Sequence, residues 1–251
     1  MSKLVELRPL LENHLLSALP AVEYKRLVSS LQPVTFRLGE VLYESGGLLN
    51  HVYFPTTAVV SLLYAMEDGK TAEMGLTGND GVVGVALFLG GNTTPNRAVV
   101  QIAGNAFQMD AATLRQEFAR GGSFQHLLLN YTQALITQIS QTAVCNRLHS
   151  VEQRLCRWLL MSHDRANSDE LPMSQEFISN MLGGRRESVT VAARRLQDAG
   201  LIRYVRGHIT VLDRKRLEAT VCECYRVVED ETDRLLLTAK QGWPYALEAV
   251  K

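Results

Sequence analysis

The chain has 251 residues, 46% of them hydrophobic and 21% charged, which is enough for one large or two modest domains with real cores. Its 26 Lys/Arg balance 26 Asp/Glu, so net charge by itself gives no pull toward nucleic acid or an anionic surface. The longest apolar runs, such as Ala58–Ala65, are strand-length, and no signal-peptide pattern opens the chain, which excludes a membrane span and predicts a cytoplasmic protein.

The charge is unevenly placed. Residues 1–145 carry 9 Lys/Arg against 11 Asp/Glu, residues 146–217 carry 13 against 8, and residues 218–251 carry 4 against 7. A basic middle segment between two acidic ones is what a phosphate-contacting surface requires.

Leu10–Leu31 predicts a helical segment with Leu15, Leu16, Leu19, Leu27 and Leu31 as apolar contacts and Pro20 as a break. From Gln32 to Met109 the period changes to two. Val34–Leu38, Val41–Tyr43, His51–Phe54, Val59–Tyr64, Ala72–Leu76, Val99–Ile102 and Ala106–Met109 read as short strands. Glu67-Asp68-Gly69-Lys70 and Thr77–Gly81 are turn clusters between them. Many short strands at regular spacing predict an antiparallel sandwich or jelly roll.

Phe124–His149 is a long helix. Phe124, Leu128, Tyr131, Leu135, Gln138, Thr142 and Cys145 fall at alternating four- and three-residue steps, which predicts a parallel two-helix seam between copies of the chain. Ser150-Val151-Glu152-Gln153 has the form of a capping box and starts a new helix, Val151–His163, at a boundary that also serves as a hinge. Asp164–Glu170 reads as a polar loop.

Pro172–Arg206 decides the functional reading. Ser174 caps a first helix with an apolar stripe of Phe177, Ile178, Met181 and Leu182, and Gly183-Gly184 ends it in a tight turn. A second helix opens with Arg185-Arg186-Glu187-Ser188, buries Val189, Ala192, Ala193 and Leu196, and stops at Gly200. Cations at a helix N-terminus oppose the macrodipole, so two arginines there call for another reason. In a major groove Arg forks onto guanine O6/N7 and Glu accepts from cytosine N4. Leu201–Val205 and Gly207–Leu212 then form a hairpin turning at Arg206-Gly207, the wing of a winged helix-turn-helix. Asp213 caps a final helix, Arg214–Lys240, with Leu217, Val221, Tyr225, Val228, Leu235 and Leu236 apolar.

On these residues the chain resembles the Crp/Fnr family of bacterial transcription regulators. Leu182-Gly183-Gly184-Arg185-Arg186-Glu187-Ser188-Val189 matches that family's Gly-x-x-Arg-Glu-Thr/Ser-Val pattern, and Leu196, Gly200, Leu201 and Ile202 match the run into the wing. The resemblance covers roughly residues 15–213 and is loose in the N-terminal half. It implies an α+β protein: an antiparallel β-roll sensor with its N-terminal helix (1–122), a dimerisation helix (123–149), a winged helix-turn-helix (150–213) and a helical extension (214–251). It implies that Arg186 and Glu187 read bases; Arg185, Arg194, Arg195 and Arg206 are expected among the DNA contacts, where contact with the backbone alone would make them indifferent to sequence. Ser174 and Gln175 on the first helix, Ser188 and Thr190 on the second, and His208 in the wing complete the expected DNA-contacting set. Val191 stands where relatives often carry a second base-reading Arg.

The effector pocket departs from the family. Cyclic-nucleotide-binding relatives use a Gly-Glu pair for the ribose and Arg-Ser/Thr for the cyclic phosphate. Here the matching stretches are Gly84-Val85-Ala86-Leu87 and Asn96-Arg97-Ala98, with Ser140 of the long helix expected beside them. Val85 accepts no hydrogen bond, and an unpaired buried hydroxyl costs about 1–3 kcal/mol. The expected effector is therefore a small molecule other than cAMP, or there is none and the protein binds DNA constitutively.

Relatives that hold an iron–sulfur cluster do so with N-terminal cysteines, and no Cys precedes Cys145 here. Cys222-Glu223-Cys224 is too close for a comfortable disulfide and, in sequence, lacks partners for a zinc site, so no metal is expected. The six histidines are scattered, which argues against a metalloenzyme on a β-roll; a lone haem ligand such as His51 stays open. No nucleophile elbow, phosphate-binding loop or catalytic dyad is present, so the chain is read as a regulator and not an enzyme. Its expected partners are double-stranded DNA, a second copy of itself, RNA polymerase and an unknown small effector.

Overall fold

The computed structural model describes residues 12–166 and 168–240. Leu10 and the end of the C-terminal extension, residues 241–251, lie outside the described residues.

Pro20 splits the N-terminal segment into α1 (His14–Ser17) and α2 (Ala21–Val28). Asn13 caps α1 and its Nδ2 donates to the carbonyls of Pro55 and Gly81, which pins this end to the strands. Seven strands follow: β1 (Gln32–Phe36), β2 (Val41–Tyr43), β3 (His51–Pro55), β4 (Val59–Ala65), β5 (Thr71–Thr77), β6 (Arg97–Ile102) and β7 (Gly104–Asp110). They form two antiparallel sheets, ordered β1-β7-β3 and β2-β6-β4-β5. All seven expected strands are present.

Strand β4 shows how the sheets connect to the rest. Its first five residues, Val59 to Leu63, are all buried, which is the signature of a strand covered on both faces. Val60 and Leu62 enter the core between the sheets with Phe54, Leu87 and Val100. Val59 and Leu63 point the other way, into a second core shared with the C-terminal helices.

After α3 (Ala111–Ala119), which was not anticipated, the long helix α4 runs Gly122–Leu148. Here the expected seam is corrected. Phe124, Leu128, Tyr131 and Leu135 are buried against the chain's own β-roll, and Gln138 donates to Leu76 O at 3.1 Å and accepts from Leu76 N. Thr142 accepts from Arg157 Nη2 at 3.0 Å. Gly81 permits this packing, since a Cβ there would lie 2.3 Å from the Tyr131 ring. Each such leucine contributes about 1.5–3 kcal/mol by leaving water, and none is free to meet a second chain.

The capping box at Ser150 is formed and starts α5 (Val151–Arg165). The helix-turn-helix follows as α6 (Gln175–Leu182) and α7 (Arg186–Asp198). The wing has three strands, β8-β10-β9, because Glu170, expected to end a loop, instead opens β8 (Glu170–Pro172), which pairs with β10 (His208–Val211); β9 is Ile202–Val205. The extension is not one helix. It breaks after Thr220 into α8 (Arg214–Thr220) and α9 (Cys224–Lys240). Helix α9 lies on α4 of its own chain, where Asn130 Nδ2 donates to Leu235 O at 3.1 Å and Gln133 Nε2 to Glu231 Oε1 at 3.2 Å.

The two halves of the molecule meet through polar as well as apolar groups. Trp158 Nε1 donates to Glu73 Oε1 at 2.9 Å, Gln101 Nε2 to Ser162 Oγ at 2.9 Å, and Arg165 Nε to Asp80 Oδ1 at 3.1 Å. No helix among the described residues is long and apolar enough to cross a membrane.

Candidate nucleic-acid interface and effector cavity

Helices α6 and α7 are joined by Gly183, in the left-handed region at φ 59°, and Gly184. A side chain in that conformation is strained, so glycine fixes the angle between the two helices. Their packing is closed by Ile178, Met181, Leu182, Val189, Ala192, Ala193 and Leu196, all buried as their spacing predicts. Thr190 Oγ1 donates to Gln175 Oε1 at 2.9 Å, so these two expected DNA contacts tie the helices together near the start of α6.

The opposite face of α7 is open. Arg185, Arg186, Glu187, Ser188, Val191, Arg194 and Arg195 are exposed. Arg185 is the N-cap and makes no capping bond, so the first-turn amides and two guanidiniums face outward together. Among the described residues Arg185, Arg186 and Arg206 form no ion pair, whereas Arg195 pairs with Glu152 at 3.4 Å and Arg194 with Asp198 at 3.8 Å. Val191 is 51% exposed, an apolar contact where an arginine could have stood.

In the wing, Arg206 and Gly207 turn with φ of 49° and 84°. Both central residues at positive φ make a type I′-like hairpin, which aims the Arg206 side chain off the tip. His208 Nδ1 lies 2.8 Å from Glu170 Oε1 of β8, a contact invisible without the third strand. Ser174 caps α6 by accepting from Phe177 N at 3.1 Å and is exposed.

The candidate effector cavity is lined by the short 3₁₀ turn after Gly84, by strands β2, β4 and β5, and by α4. Gly84, Val85, Ala86 and Asn96 line it, together with Tyr43, Leu62, Met74, Thr132, Leu135, Ile136 and Ile139. The other expected residues do not. Leu87 and Ala98 are buried in the core, Arg97 pairs with Glu44 at 3.2 Å, and Ser140 is exposed outside the lining. No carboxylate and no cation is in the lining. Its polar groups are neutral: Asn96 accepts from Thr94 and bonds Tyr43, whose hydroxyl burial pushes up to about 12. His51 sits half-buried on β3 beside Tyr53.

One expectation about the cysteines is overturned. Cys222 and Cys224 do have partners, because Cys145 and His149 at the end of α4 come to them; the four ligand atoms lie within 4.8 Å of one another. Cys156 is buried in the second core and is not one of the four.

The chain matches the family model of the Crp-like helix-turn-helix domain over residues 153–220 and that of the cyclic nucleotide-binding domain over residues 33–120, together more than half its length. Among solved structures it is similar to FixK2 from Bradyrhizobium japonicum, at 18% identity over 76% of this chain and 98% of that one, with a TM-score of 0.66. A CRP-family transcriptional regulator from Thermus thermophilus gives 18% identity, 74% and 95% coverage, and a TM-score of 0.63. The regulator CLP from Xanthomonas campestris, described as c-di-GMP responsive, gives 16% identity, 77% and 100% coverage, and a TM-score of 0.61. No curated protein sequence matches the chain.

Proposed function

Because the chain belongs to the Crp/Fnr family of DNA-binding transcription regulators, we propose that it binds a palindromic promoter site as a homodimer, under control of a small, neutral, largely apolar effector. The observation that carries the reading is the first turn of α7, where Arg186 and Glu187 stand exposed on a helix whose other face is locked into the domain. This is the geometry a major-groove reader needs.

The dimer is assigned to a different stripe of α4 from the one the sequence suggested. Leu129, Thr132, Ile136, Ile139 and Ala143 follow three- and four-residue steps, and Leu129 and Ile136 are 42% and 58% exposed. A parallel pairing along this stripe places two winged domains about a twofold axis, as half-sites one helical turn apart require. Thr132, Ile136 and Ile139 also line the cavity, so a ligand there touches the seam directly. That CLP is described as c-di-GMP responsive supports the view that this fold accepts effectors other than cAMP. The neutral lining here favours neither a ribose nor a phosphate. RNA polymerase is the partner through which such a regulator acts, in the cytoplasm where the DNA lies.

The test is footprinting on DNA recovered from genomic fragments, with sedimentation of the free protein. The reading expects two protected half-sites about 10 bp apart centre to centre, and a dimer. A single unsymmetrical footprint bound by a monomer contradicts it.

A further inference from the structure

The group of Cys145, His149, Cys222 and Cys224 has no part in DNA reading or in the effector cavity. Cys145 lies in the last turn of α4 and His149 is that helix's C-cap. Cys222 lies in the break between α8 and α9, and Cys224 begins α9. The three cysteines are 0%, 3% and 1% exposed. Cys145 Sγ is 3.6 Å from Cys222 Sγ, and Cys224 Sγ is 3.5 Å from His149 Nδ1.

These two separations match edges of a coordination tetrahedron, and all four ligand atoms lie within 4.8 Å of one another, close enough to converge on one ion. With Zn–S of about 2.3 Å and Zn–N of about 2.0–2.1 Å, tetrahedral geometry sets S···S edges near ~3.8 Å and S···N edges near ~3.6 Å. A multi-iron cluster would interpose its own metal and sulfide and spread the ligands wider. Three sulfurs and one imidazole are a soft donor set of the kind that selects zinc over magnesium or calcium. The other ring nitrogen, His149 Nε2, lies 3.4 Å from Glu223 Oε2, the carboxylate arrangement that orients a ligating histidine. Three thiolates with one divalent ion leave a net negative charge. The buried guanidinium of Arg157 offsets it: Arg157 acts electrostatically on Cys145 and Cys224, and its Nε has no hydrogen-bond partner among the described residues.

We infer that Cys145, His149, Cys222 and Cys224 form a closed tetrahedral site for a single zinc ion. The ion is a staple: it ties the end of α4, where α5 turns off at Ser150, to the α8–α9 junction beyond the wing, and so braces the joint between the sensor helix and the DNA-binding domain. Packing of three thiols as small apolar groups would account for their burial but not for the imidazole aimed at Cys224 or for the guanidinium beside them.

Full-length protein, purified without chelator, is analysed for metals. It is then stripped of metal and titrated with Co2+, whose visible bands report tetrahedral geometry and whose near-ultraviolet charge-transfer band reports thiolate ligation. The expected result is about one zinc per chain and a saturable tetrahedral cobalt spectrum. Cys224→Ser and His149→Ala should abolish that spectrum, Glu223→Gln should weaken Co2+ binding roughly tenfold, and Cys156→Ala should leave it unchanged. The wild-type titration decides the matter even if a variant fails to fold. Metal-free protein with no tetrahedral cobalt spectrum, equimolar iron and sulfide, or a Cys145–Cys222 disulfide in the freshly isolated protein would each overturn the inference.

Discussion

Trp158 and Glu73, 85 residues apart, meet in a buried hydrogen bond of 2.9 Å that joins the first helix of the DNA-binding half to strand β5 of the β-roll. Burial raises the Glu73 carboxyl to about 7, outweighing the hydroxyl of Ser61, the bond from Trp158 and the nearby Arg157 and Arg165. In the unfolded chain the same group titrates near 4.5. Between those values the folded protein holds a proton that the unfolded chain has released, so stability falls as pH rises from about 4.5 through about 7 and is level above. The contribution is on the order of 3 kcal/mol. Glu73→Gln should remove this slope, as read by denaturant midpoints across pH; an unchanged slope would place the titration elsewhere.

The ion pair of Arg165 with Asp80 is another of the bonds between the two halves, with the Arg165 side chain only 7% exposed. Asp80→Ala leaves that guanidinium buried without its counter-ion. The expected loss is about 3–5 kcal/mol in urea unfolding, and Asp80→Asn should lose less because it still accepts a hydrogen bond.

Helix α4 separates two kinds of leucine. Leu129→Asp with Ile136→Asp puts carboxylates on the exposed stripe and should yield a folded monomer in sedimentation. Leu128→Asp with Leu135→Asp places them in the β-roll core, where desolvating an unpaired charge costs several kcal/mol, and should unfold the sensor. A dimer that survives the first pair moves the interface off this stripe.

The strands were legible because their alternation is local, and α6 and α7 because a glycine turn divides two apolar stripes. The seam was not. Helix α4 is apolar on more than one side, and periodicity finds a stripe without saying what covers it; the β-roll takes Phe124, Leu128, Tyr131 and Leu135. The cysteine group is not legible for a related reason: Cys145 and Cys222 are 77 residues apart, whereas ligand spacing shows in sequence only within short runs. Glu73 gives no sign in sequence that Trp158 will bury it. Strand β8, only three residues long, forms because β10 offers it a ladder.

The cavity makes a plain prediction about cyclic nucleotides. With Val85 and Asn96 where a carboxylate and an arginine would bind, and Arg97 held by Glu44, isothermal titration with cAMP should show no binding at micromolar concentration. A micromolar constant would require Arg97 to leave Glu44 and turn inward.

In the proposed complex Arg186 and Glu187 read bases while Arg185 and Arg206 hold the backbone. Selection of binding sites from random DNA by wild type and by Arg186→Ala tests it most directly. The variant should lose about 1–3 kcal/mol per half-site and its preference at one guanine. Arg206→Ala should instead weaken every sequence alike and flatten the salt dependence by about one unit. An Arg186→Ala protein that returned the wild-type half-site with undiminished preference at every position would show that Arg186 does not read a base.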